Sequence, residues 1–169
     1  MRTNAVLRGK AIKVGDNIST DLILPGRFTH LRSNLPELAK HVLEDTLPTF
    51  NSRVGQGDFL VAGENFGLGS SREHAPIAIK MAGVGAILAK SVAHIFFRNA
   101  INHGLPVLLC DTDEIGEDNE LEIDLSDFVV VNLTSGARLS CDKIPPLMSA
   151  ILEEGGLVPY IKKHKGFSL

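Results

Sequence analysis

Cysteine is the first scarcity of this chain: 169 residues hold two, Cys110 and Cys141. They stand far apart in the sequence, and neither sits in the close Cys/His spacing of a zinc site. A four-iron cluster takes about four thiolates or a substitute, so two cannot ligate one. So few thiols suit a reducing compartment, and the chain is expected in the cytoplasm. No His-Glu-x-x-His or comparable spacing occurs either, so no metal is expected on this chain. Long apolar runs are also missing. None approaches the ~20 residues a membrane helix needs, and Met1-Arg2-Thr3-Asn4 opens no signal-peptide core. Basic residues are scattered until the tail Lys162-Lys163-His164-Lys165, and the net charge is −3, which argues against a nucleic-acid partner. That tail reads as a solvated terminus. Repeats, low-complexity tracts and linkers are absent. With 44% hydrophobic residues the chain can build one good core, so residues 1–169 are expected to form one domain.

What is present centres on Gly63-Glu64-Asn65-Phe66-Gly67-Leu68-Gly69-Ser70-Ser71-Arg72-Glu73-His74. The apolar run Phe59-Leu60-Val61-Ala62 reads as a buried strand feeding into it, and helical spacing follows through Ile77 and Met81. Ser70 with Glu73 three residues later fits a capping box, which puts Ser70 or Ser71 at a helix N-terminus. Unpaired N–H groups and the helix dipole favour an anion there. Arg72 adds a charge that can fork onto a carboxylate. The plainer alternative is a glycine-rich connection with a good cap. Known glycine motifs fail: Arg72 stands where both the dinucleotide fingerprint and the nucleophile elbow need glycine, and no Gly-Lys-Ser/Thr follows.

Around this centre the pattern predicts an α/β fold. Residues 5–14 read as a strand, Gly15 to Asp21 as a polar loop, and Leu22-Ile23-Leu24-Pro25-Gly26 as a strand ended by a turn. Arg27 to Asn34 reads as a loop carrying Arg27, His30 and Arg32, followed by a short helix over Pro36 to Leu43 and a polar connection over Pro48 to Gly57. After a helix near 71–82 come the strand Gly85–Ala89, a helix capped by Ser91, and the strand Pro106–Cys110. That βαβαβ order over 58–110 implies parallel strands. Residues 121–125, 128–131 and 137–141 then read as an antiparallel hairpin or meander, and a final helix near 145–153 stops at Gly155-Gly156.

The run Asn65 to Ala75, with Gly15-Asp16-Asn17-Ile18-Ser19-Thr20-Asp21, Arg98-Asn99-Ala100-Ile101-Asn102 and Gly104-Leu105-Pro106, resembles the swivel domain of the aconitase superfamily. More closely, the chain is similar to the family of separate small subunits of 3-isopropylmalate dehydratase and homoaconitase. It departs from the usual pattern at Val92 and His94, where relatives often carry Phe and Arg; these read as packing and surface changes. The resemblance implies a three-layer β/β/α swivel fold and a hydro-lyase that isomerises 2- and 3-isopropylmalate in leucine biosynthesis. It implies that Ser70 acts as the base and that Ser71 and Arg72 bind the substrate carboxylate. The loop Asp16, Asn17, Ser19, Thr20, Asp21 would lie beside the cleft with Gly69. Arg32 would face the variable γ-substituent. An arginine suits a γ-carboxylate, so homoaconitase is the alternative substrate class. The four-iron, four-sulfur cluster would sit on a large partner subunit, in a heterodimer or heterotetramer. From the residues alone, a carboxylate-binding regulatory domain without turnover stays open, as does turn chemistry for Asp16 to Asp21. A serine nucleophile paired with His74, one turn away, would need the ring to point back. His41, His94 and His103 read as structural or exposed.

Overall fold

A computed structural model describes residues 6–167 of the chain. Seven strands form one mixed sheet in the order β4-β3-β2-β1-β5-β6-β7. Strand β1 (Val6–Lys13) is shared between its two halves. Its first residues pair antiparallel with β5 (Glu120–Asp124), Val6 opposite Asp124 and Lys10 opposite Glu120. Its last residues pair parallel with β2 (Phe59–Val61), Ala11 opposite Phe59 and Lys13 opposite Val61. The parallel half continues through β3 (Ala86–Ala89) to β4 (Val107–Leu109). The antiparallel half continues through β6 (Val129–Asn132) to β7 (Arg138–Ser140). Both halves were legible in the sequence, and both lie where the pattern put them.

Layering follows from the alternation of side chains across the parallel strands. Leu60, Ile87 and Val107 face a core shared with the helices, including Phe50, Phe66, Ala78, Ile79 and Phe96. Their neighbours Phe59, Val61, Leu88 and Leu108 face a second core with Leu121, Ile123, Val130 and Cys141 from the antiparallel half. The sheet therefore curls back over itself, and the parallel strands are buried on both faces. Antiparallel sheet, parallel sheet and helices make the three layers.

Four local expectations give way. Leu22 to Gly26 is not a strand. Ser19 accepts a hydrogen bond from the Leu22 N–H and starts a one-turn helix, α1 (Thr20–Ile23). Gly26–Leu31 is a 3-10 turn rather than an irregular loop. Helix α2 (Leu35–Ala39) ends early, because the Leu43 N–H bonds to the Ile23 carbonyl instead of continuing the helix. The polar connection before β2 holds a further helical turn, α3 (Phe50–Arg53), seated by the fully buried Phe50. Helices α4 (His74–Met81), α5 (His94–Asn102) and α6 (Pro146–Glu153) match expectation in kind. The tail is not loose: past Gly155-Gly156 a seventh helix, α7 (Leu157–His164), is pinned by the buried Tyr160 and by Lys163 on Glu154 at 2.5 Å.

Candidate active site

The glycine stretch after β2 is a loop laced to two others, and its helix starts later than the capping signal indicates. Helix α4 begins at His74, and no side chain caps it. Glu73 does not reach back to Ser70; its carboxylate meets His103 Nε2 at 3.0 Å, at the far end of α5. Ser70 and Ser71 therefore precede the helix, free of capping duty. Ser91 shows the same displacement. It caps nothing at α5; its hydroxyl accepts from the Asn65 N–H at 2.8 Å and its carbonyl from the Phe66 N–H at 3.1 Å.

Loop 15–21 is zipped onto the glycine stretch. The Gly67 N–H donates to the Ile18 carbonyl at 2.7 Å, and the Thr20 N–H to the Leu68 carbonyl at 2.9 Å. Asp16 accepts from the Glu64 N–H at 2.7 Å, and Asn17 from the Asn65 side-chain amide at 2.8 Å. Gly67 has to be glycine. Its φ is +75°, and a Cβ there would sit 2.4 Å from the Phe96 ring. Gly69, at φ +102°, brings the chain against Thr20.

A cleft of about 260 Å³ opens where these loops meet, walled by Thr20, Gly69, Ser70, Ser71 and Arg72 on one side and by His94, Ile95 and Asn99 on the other. Thr20 Oγ1 donates to the Ser70 carbonyl at 3.0 Å, and lies 3.5 Å from Ser70 Oγ. With its one proton so used, the Thr20 oxygen can only accept from Ser70. Arg72 is held from both ends: Nη1 donates to the Leu24 carbonyl at 2.6 Å, and Nη2 meets Asp21 at 2.5 Å. Asp21 is two-thirds exposed, so this pair lies in water's reach and a competing carboxylate can replace it. The opposite wall is the first turn of α5. Its N-cap, Ala93, offers no side-chain acceptor, and among the described residues the N–H groups of His94, Ile95 and Phe96 have no hydrogen bond. The anion-attracting helix end thus belongs to α5 rather than to α4.

Beyond Arg72 lies a second cleft of about 250 Å³, lined by Leu24, Pro25, Phe28, Thr29, Arg32, Leu38, Arg72 and His74. Among the described residues nothing engages the Arg32 guanidinium. Its neighbour Arg27 is committed, forking onto Asp45 at 2.6 and 2.7 Å, which raises its own pKa and lowers that of Asp45. His74 faces this second cleft, and no hydrogen bond joins it to Ser70, so a Ser–His dyad has no support. Of the first loop, Thr20 lines the cleft and Asp21 holds Arg72; Asp16, Asn17 and Ser19 act as staples and cap. His94 and Ile95 were missed as wall residues. Because β2 and β3 are parallel neighbours, the segments following them emerge at the same, carboxyl end of the sheet, and that signal was available.

The chain does not fit a four-iron cluster. Its two thiols fall short of the ligand set, and among the described residues no three His, Cys, Asp or Glu side chains converge on a metal position. Among those residues no helix is long and apolar enough to cross a membrane.

Comparison with known proteins agrees with this architecture. Residues 39–111 match the Aconitase C-terminal domain. The chain is 62% identical to 3-isopropylmalate dehydratase small subunit 2 of Archaeoglobus fulgidus, covering 92% of this chain and 94% of that one. It is 58% identical to small subunit 1 of Thermotoga maritima, over 96% and 98%. The crystal structure of 3-isopropylmalate dehydratase (leuD) from Methanocaldococcus jannaschii superposes with a TM-score of 0.91 at 44% identity, covering 95% of each chain. The chain belongs to the family of 3-isopropylmalate dehydratase small subunits, hydro-lyases of the aconitase type.

Proposed function

We propose that this chain supplies the proton-transfer and carboxylate-binding half of a hydro-lyase site that interconverts 2- and 3-isopropylmalate. The observation that carries the reading is the convergence of Ser70, Ser71, Arg72 and the uncapped first turn of α5 on one cleft. Arg72 and the Ser71 hydroxyl hold a substrate carboxylate, which takes the place of Asp21 on the guanidinium. Ser70 Oγ removes the proton α to that carboxylate. A free serine is a poor base, so the oxyanion relies on the field of Arg72 and the open N–H groups of α5. Departure of the hydroxyl needs a Lewis acid. We assign that role to a four-iron, four-sulfur cluster on the large subunit, whose closure over the cleft completes the site and excludes water. The stoichiometry of the assembly, dimer of unlike chains or a pair of such dimers, belongs to the same reading, as does a cytoplasmic setting for this one-domain subunit.

Arg32 favours a second substrate. Its uncommitted guanidinium shares a cleft with Arg72, so a substrate carboxylate on Arg72 can send its γ-substituent towards Arg32. A γ-carboxylate, as in homoaconitate, would gain a charge-assisted fork there, while the arginine stem can pack on an isopropyl group. A substrate panel with the reconstituted enzyme tests both readings. Isopropylmalate is expected to turn over, with measurable activity on a γ-carboxylate analogue. Turnover of neither would overturn the proposal.

A further inference from the structure

Cys110 and Cys141, distant in sequence, meet at the seam where the curled sheet brings its two edges together. Cys110 follows β4 and Cys141 follows β7, the two outermost strands. The Asp142 N–H donates to the Leu109 carbonyl at 2.9 Å, one residue outside each cysteine. Each cysteine is anchored on its other side as well: the Cys110 N–H bonds to the Ala89 carbonyl at 3.0 Å, and the Cys141 N–H to the Phe128 carbonyl at 2.8 Å. Both thiols are free, and both pack into the same core, Cys110 against the buried Cys141. Cys141 is buried, whereas Cys110 lines an open cleft with Lys90, Asp111, Asp113, Ser140 and Asp142, so a small reagent can reach the pair.

We propose that Cys110 and Cys141 form a reversible disulfide that staples the open seam of the sheet, with a low-molecular-weight disulfide as the oxidant. A thiolate of the pair attacks one sulfur of that reagent and expels the other as a thiolate, leaving a mixed disulfide. The second protein thiolate attacks the protein sulfur of the mixed disulfide, forming the Cys110–Cys141 bond and expelling the second small thiolate. The protein loses two protons and two electrons, and the reagent becomes two thiols. The neighbouring Cys110 thiol favours the anion on Cys141, while that same proximity and burial push the Cys110 thiol up. One thiolate is thus available while its neighbour holds the proton.

The segment after Cys110 is tied to the start of the glycine loop. Thr112 Oγ1 donates to the Ala62 carbonyl at 2.8 Å, Lys90 Nζ meets Asp113 at 2.6 Å, and the Lys90 N–H bonds to the Gly63 carbonyl. A staple at the seam therefore stiffens the base of the loop that carries Ser70 to Arg72, and it shortens the free chain of the unfolded state.

The test uses the full chain with an excess of oxidised glutathione, read by intact mass under denaturing conditions and by thiol titration. The expected product has lost two hydrogens and both titratable thiols, carries no glutathione, and reverts with dithiothreitol. Its Tm should rise by about 5–10 °C over the reduced protein. Cys141→Ser should instead stop at a single glutathione adduct on Cys110. Wild-type protein that accumulates stable glutathione adducts, or that keeps both thiols in excess reagent, would overturn the proposal.

Discussion

The two walls around Arg72 are built in opposite ways. On one side, loops 15–21 and 63–72 are laced to each other: Asp16 on Glu64, Asn17 on Asn65, Thr20 on Ser70, Asp21 on Arg72. On the other side, the 3-10 turn Gly26–Leu31 is fastened by Arg27 on Asp45 and by Phe28 stacked on His41, and then leaves Arg32 uncommitted. The first wall suits a task that is the same for every substrate, namely holding one carboxylate and one reacting proton. The second suits a part of the substrate that varies.

Ser70 carries the largest expected effect on the fixed wall. In the assembled enzyme Ser70→Ala should lower kcat by about a hundredfold or more, with KM little changed, because proton transfer to a placed group is worth that much. Since Ser70 caps no helix, Tm should barely move; a folded variant with near-normal kcat would remove Ser70 from the base role. At Arg72, replacement by Ala should raise KM by roughly ten- to a hundredfold, from lost charge-assisted bonds. An unchanged KM for every dicarboxylate would show that the guanidinium only ties Leu24 and Asp21. Gly67→Ala probes the rigidity of the same wall. With φ at +75° and a Cβ aimed into Phe96, we expect about 3 kcal/mol of destabilisation, or a Tm lower by about 10 °C. Equal thermal stability would mean that loop and α5 yield easily. On the variable wall, Arg32→Val should cost about tenfold on a γ-carboxylate substrate while sparing or improving isopropylmalate. Equal loss on both substrates, or no change on either, would show that Arg32 does not read the γ-substituent.

How much was readable beforehand follows the same division. The parallel βαβαβ core and the hairpin announced themselves through apolar runs and alternation, because those patterns answer to burial alone. The loop walls did not, because their structure depends on partners distant in sequence. Ser70 looked like an N-cap until Thr20 engaged it and Glu73 went to His103. Leu22 to Leu24 looked like a strand, yet Ser19 capped a helical turn there. Gly155-Gly156 looked like an end, whereas it is a corner, and Tyr160 buries the helix beyond it. Ser70, Ser71 and Arg72 were legible as a group from their order in the sequence. His94 carried no motif of its own; it was legible only through the parallel pairing of β2 and β3, which brings α5 to the cleft.

Whether this chain holds half of an active site is decided by assaying interconversion of 2- and 3-isopropylmalate with the purified chain alone, with the large subunit alone, and with the two combined, while measuring iron in each. A half-site should give no turnover and no stoichiometric iron for this chain alone, and activity only in the combination. Turnover by the isolated chain, or a cluster that purifies with it, would contradict it.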